Sequence, residues 1–81
     1  MAIDKDALRS TVGANVRRLR KLAGMTQVQL AERCECSQAF ITQLERGECS
    51  ASDVMLFTLA DAFGVPTDAL RQETTKSRAS A

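Results

Sequence analysis

The sequence predicts an all-α single domain of five short helices, and three observations predict it. Apolar residues recur at spacings of three and four along residues 8–22 and again along 56–63, as on the buried stripe of an amphipathic helix. Serine or threonine stands where helix N-caps belong, and glycine stands where left-handed C-caps belong. Nowhere does the chain alternate with the period of two that a strand requires. At 81 residues, 44% hydrophobic and 26% charged, there is room for one compact unit, and so thin a core gains from a second copy.

The first helix is expected over about 5–23, with Leu8, Val12, Val16, Leu19 and Leu22 facing inward and Gly24 ending it. Thr26 and Gln29 have the T-x-x-Q form of a capping box, which opens a second helix over 27–34. Ser37 then caps a third helix running to Glu45 or Arg46 and ended by Gly47. Ser50 or Ser52 caps a fourth over 53–63, whose stripe is Leu56, Leu59, Ala60 and Phe63, with Gly64 after it. Pro66 allows a turn, and a last short helix from Thr67 and Asp68 to about Gln72 carries Leu70 as its core residue. The domain is thus expected over 1–72, and the polar, nonperiodic residues 73–81 read as a disordered tail.

Composition excludes much. With no histidine, tyrosine or tryptophan and no glycine-rich phosphate loop, the chain lacks the parts of an assembled catalytic site, so an enzyme is not expected. No apolar run approaches the roughly 18 residues of a membrane span, and residues 1–20 carry charges where a signal peptide is apolar, which points to the cytoplasm. Three cysteines make a poor disulfide framework. A metal site would need a fourth ligand, and Cys34 and Cys36 read as small core hydrophobes. Cys49 stands on an expected loop among acids. No cofactor, metal or small-molecule ligand is indicated. The net charge of +1 hides an asymmetry: residues 7–31 hold five cations and no acid, whereas 32–73 hold eight acids and three arginines. One end of the domain should therefore suit a polyanion.

Residues 27–46 put Leu30, Cys34, Cys36, Ile41 and Leu44 at inward positions with small Ala31 between two short helices. That spacing folds the helices against each other across a tight turn and leaves Gln38, Ala39, Thr42 and Gln43 pointing outward. It is the geometry of a helix-turn-helix, whose second helix enters the DNA major groove. Gln38, Ala39, Thr42 and Gln43 are therefore the candidates to read bases, and a glutamine there can accept from adenine N6 and donate to N7. Arg17, Arg18, Lys21 and Arg46 are candidates for phosphate contact, as is Ser37 at the start of the third helix.

The words VRRLRKLAGMTQVQLAERC, SQAFITQLERG and LADAFGV, which together span residues 16–65, resemble the Cro/C1-type (XRE-like) helix-turn-helix of phage repressors and small bacterial regulators. The resemblance implies a five-helix, lambda-repressor-like fold, a homodimer on a pseudo-palindromic DNA operator, and a role in transcriptional regulation, most often as a repressor. It implies that Gln27 contacts a phosphate and braces Gln38, that Gln38, Ala39 and Gln43 read bases, and that Arg20 and Glu45 form a structural ion pair. The surplus apolar residues Val54, Phe57 and Val65, with Leu70, read as a dimer contact, and Phe40 as packing against its neighbours. The alternative reading is an antitoxin-like component that binds a protein partner, with or without DNA. The chain departs from the family pattern in three places. Glu35 replaces the usual turn glycine, so either it is strained or the turn differs. Glu48, Cys49 and Ala51 replace the basic residues and proline often found after the third helix. Asp53 takes a usually apolar position.

Overall fold

The computed structural model describes residues 4–73 and contains five helices in chain order: α1 (Lys5–Leu22), α2 (Gln27–Arg33), α3 (Gln38–Glu45), α4 (Asp53–Phe63) and α5 (Asp68–Arg71). The described residues include no strand. Beyond Glu73, the expected tail lies outside them.

Helices α1 to α4 each start where a side chain can satisfy free backbone donors, whereas Thr67 makes no such bond at the start of α5. Asp4 accepts from the amides of Asp6 and Ala7. Thr26 and Gln29 close the expected capping box. Ser37 accepts from the Phe40 amide, and Ser52 rather than Ser50 caps α4. Ser50 instead accepts from Arg9 Nε at 2.8 Å.

The ends of α1 to α4 share one device, in which two successive amides turn back onto carbonyls of the last turn. At α1, the Gly24 and Met25 amides donate to Lys21 O and Arg20 O. At α2, the corresponding amides are those of Glu35 and Cys36, which donate to Glu32 O and Ala31 O, and Glu35 takes the left-handed conformation at φ 57°. The turn therefore keeps its glycine-type shape and Glu35 carries the strain, a local cost of roughly 1–2 kcal/mol.

The core is one cluster of Val12, Val16, Leu30, Ala31, Cys34, Ile41, Leu44, Leu56, Leu59, Ala60 and Leu70. Helix α1 is its spine, packed against α3 and α5, while α2 packs against α3. Four expectations about this core need correction. Leu22 is 75% exposed, because the last turn of α1 runs past its partners and the inward place nearby is taken by Arg20. Leu8, at the opposite end of α1, is 40% exposed, and Cys36 is only half-buried. Leu70 is 0% exposed, so it belongs to the core and offers nothing to a second copy.

Two residues of α1 not singled out by sequence hold the fold together. Asn15 is buried, and its Nδ2 donates to Leu70 O and Gln72 O, both at 2.8 Å, which ties α5 to α1. Gly13 is where α1 and α3 approach most closely. A Cβ there would overlap Leu44 O and lie 2.9 Å from Glu45 O.

Candidate nucleic-acid interface

Helices α2 and α3 are joined by the turn at Glu35, and α3 turns Ile41 and Leu44 into the core. Its outward face carries Gln38, Ala39 and Gln43, all exposed. Phe40 is half-buried and packs against the core cluster, which leaves it little surface for a base. Thr42 differs from the expectation that it points outward: it is half-buried, and its hydroxyl donates to Gln27 Oε1 at 2.9 Å. The first residue of α2 covers it, because α2 crosses α3 at this point.

Helix α3 is fixed to α1 through a buried charge pair. Arg20 Nε donates to Glu45 Oε2 at 2.6 Å and its Nη2 to Glu45 Oε1 at 3.1 Å, with side chains 11% and 4% exposed. A third donor, Nη1, reaches Met25 O at 2.8 Å. The two-pronged geometry and the extra carbonyl bond leave neither charge uncompensated, the condition under which a buried pair is tolerated. Gln27 joins the same network, its Nε2 donating to Glu45 Oε1 at 3.0 Å. It therefore braces Thr42 and Glu45, not Gln38.

Around this network lies a polar cavity of about 260 Å³ lined by Arg17, Arg20, Gln27, Thr42, Glu45 and Arg46. With Glu45 neutralised by Arg20, the charge facing it is that of Arg17 and Arg46, neither of which has an ion-pair partner among the described residues. Arg18 lies elsewhere on α1. Its Nη2 donates to Asn15 Oδ1 at 3.4 Å, on the side that holds α5. Lys21 is exposed near the end of α1, and Ser37 is exposed with its Oγ engaged at the α3 cap. Arg9, counted with the basic segment, is committed to Ser50 and, at 3.6 Å, to Asp6.

The thiols do not assemble a site. All three are free, and burial pushes each of them up from the ordinary thiol range. Although Cys49 stands among acids in the sequence, Arg9 lies near enough to pull its pKa down, but burial outweighs it. Among the described residues, no group of three or more acidic or cysteine side chains is arranged to hold a metal ion. No described helix is long and apolar enough to cross a membrane.

A family model described as a helix-turn-helix domain matches residues 11–74. The chain belongs to the helix-turn-helix domain family. The family is one of DNA-binding transcription regulators and not of enzymes. An HTH-type transcriptional regulator of Sinorhizobium fredii is 40% identical over 58 residues, which cover 72% of this chain and 75% of that protein. The immunity repressor protein of Bacillus phage phi105 is 35% identical over 65 residues, 80% of this chain but only 45% of the repressor. Among solved structures, the clp gene regulator ClgR from Corynebacterium glutamicum superposes with a TM-score of 0.79 at 32% identity, covering 89% of this chain and 77% of that one.

Proposed function

We propose that this helix-turn-helix protein is a sequence-specific regulator that binds an inverted-repeat operator as a homodimer and represses by occluding a promoter. The observation that carries the reading is the face of α3. Gln38, Ala39 and Gln43 stand exposed on a helix that a buried ion pair holds rigidly, beside a cavity with two unpaired arginines. In this reading α3 lies in the major groove with Gln38 and Gln43 at base edges, and Arg17 and Arg46 contact the backbone, with Lys21, Arg18 and Ser37 as further candidates. Repression is supported by the similarity to a phage immunity repressor.

The dimer contact is assigned to Val54 and Phe57 on α4, 77% and 68% exposed, with half-buried Val65 beside them. Two copies so related put their third helices about 34 Å apart, one turn of duplex.

Random-oligonucleotide selection with the purified protein at physiological salt tests the whole reading. An enriched inverted repeat with half-sites one turn apart is expected. Gln38→Ala then relaxes preference at one position by about 1–3 kcal/mol, while Arg17→Ala weakens all duplexes alike and flattens the salt dependence. Binding that stays sequence-indifferent overturns it. Phe57→Asp is expected to give monomers in sedimentation, and an unchanged dimer places the contact elsewhere.

A further inference from the structure

The bond from Thr42 to Gln27 has a consequence for Gln27 itself. A glutamine amide presents a donor at one end and an acceptor at the other, and a flip exchanges them. Here both ends are engaged: Oε1 accepts from the Thr42 hydroxyl at 2.9 Å, and Nε2 donates to Glu45 Oε1 at 3.0 Å. A flipped amide would set its oxygen against a carboxylate oxygen. Nor can Glu45 turn to relieve that clash, since Arg20 holds both of its oxygens. The amide therefore has one orientation. Its second Nε2–H has no partner among the described residues, and Gln27 lines the cavity of about 260 Å³ that Arg17 and Arg46 also line.

We infer that Thr42 is a positioning residue that, with Glu45, locks the Gln27 amide so that its free N–H, between Arg17 and Arg46, holds one backbone phosphate of double-stranded DNA; Thr42 itself reads no base. This rests on the DNA-binding reading above. Cavity chemistry favours the phosphate: a neutral hydrogen-bond donor oriented in advance and two cations suit a tetrahedral anion, and the buried carboxylate that would repel it is matched by Arg20. The lock matters because phosphate contacts set the register in which base-reading side chains meet their targets. Without the Thr42 hydroxyl, the Gln27 acceptor is left unpaired and the amide regains other rotamers.

Thr42→Val keeps the branched shape and removes the hydroxyl, while Thr42→Ser keeps the hydroxyl. Anisotropy titrations of the full chain on its selected operator and on a scrambled duplex, over a range of salt, read the effect, with melting temperature as the check on folding. Thr42→Val is expected to weaken both duplexes by the same factor, about 3- to 10-fold for one lost hydrogen bond. Because Gln27 is neutral, the lines of log affinity against log salt should stay parallel to wild type, unlike those of Arg17→Ala. Thr42→Ser should match wild type. In a Gln27→Ala background Thr42→Val should have no further effect, which a merely structural role would not produce. Thr42→Ala replaces it should Thr42→Val melt below the assay temperature. A change of base preference at one position, an effect that adds fully to Gln27→Ala, or affinity equal to wild type overturns the inference alone. A wild-type chain that binds no duplex overturns the DNA reading and this inference with it.

Discussion

Gly13→Ala gives a direct test of how closely α1 is bound to α3. In an exposed helix interior this change stabilises, since alanine is favoured over glycine by about 1 kcal/mol. Here the added Cβ meets backbone: it overlaps Leu44 O and lies 2.9 Å from Glu45 O, whereas carbon and oxygen ordinarily sit about 3.3 Å apart or more. Neither carbonyl can move independently of α3, so the helices must part by roughly half an ångström or more. Buried side chains make about 40–60 dispersion contacts each, at ~0.1–0.2 kcal/mol. If about a fifth of those made by Val12, Val16, Ile41 and Leu44 cross the seam, they amount to roughly 6 kcal/mol, and such a gap forfeits about a quarter to a half. Set against the gain in propensity, the net loss is about 0.5–2 kcal/mol. In a domain of this size that lowers the melting temperature by roughly 2–15 °C. Circular dichroism melts of both proteins measure it, and operator affinity should fall in parallel as α3 shifts. A variant that melts at or above the wild type would refute the close-approach argument.

Four further outcomes follow from the structure. Glu35→Gly should raise the urea midpoint, worth about 0.5–1 kcal/mol once the greater freedom of glycine in the unfolded chain is offset, and a lower midpoint would show that φ 57° carries no strain. Glu45→Ala leaves the Arg20 guanidinium buried without its carboxylate and should destabilise by about 3–5 kcal/mol in urea titration; a loss under about 1 kcal/mol would mean the pair is not structural. Asn15→Leu removes two bonds to α5 carbonyls and should cost about 2 kcal/mol, with amide exchange quickening first in residues 68–72; uniform exchange would count against the tie. Burial raises the Cys34 thiol, helped by Cys36 and opposed by Arg33. The folded state thus keeps its proton after the unfolded chain has lost it, so this contribution is whole below the unfolded thiol pKa of about 8.5 and is lost as pH rises through the folded value. Denaturation midpoints of wild type should fall more steeply above about pH 9 than those of Cys34→Ala, and identical curves would count against it.

The parts of the fold legible in the sequence are those set by local chemistry. Helix limits follow from Thr26, Ser37, Gly24 and Gly47, because capping groups and left-handed glycines act within a few residues of themselves. Stripe spacing could not show where α1 outruns its partners, so Leu22 read as core and is exposed. For Leu70 the same sequence supported a core and a surface reading, and only the packing of α1 on α5 decides between them. Gly13 left a usable signal, a lone glycine inside an otherwise regular helical pattern, which often marks a close approach. Asn15 left a weaker one, a polar residue between two inward positions. Thr42 left none. Its place on the outward side of α3 is correct by periodicity, and what hides it is the crossing of α2, a distance in space that no spacing along the chain encodes.

These contacts bear on how α3 is held steady, as the proposed DNA reading requires. Helix α3 has only eight residues, too few to persist alone in water, and its outward face must stay free for a ligand. Rigidity therefore has to come from behind and from the ends. It comes at three points along α1 and α2: the close approach at Gly13, the charge pair from Arg20, and the amide of Gln27. All three meet α3 at its Glu45 end, far from Gln38. The N-terminal turn of α3, which carries Gln38 and Ala39, is held by the Ser37 cap, the Ile41 anchor and the packing of half-buried Phe40, with no charge pair or amide bridge. Adjustment to DNA is accordingly expected in that first turn, with the Glu45 end as pivot, and substitutions in α1 that touch no nucleotide should change affinity without changing which bases are preferred.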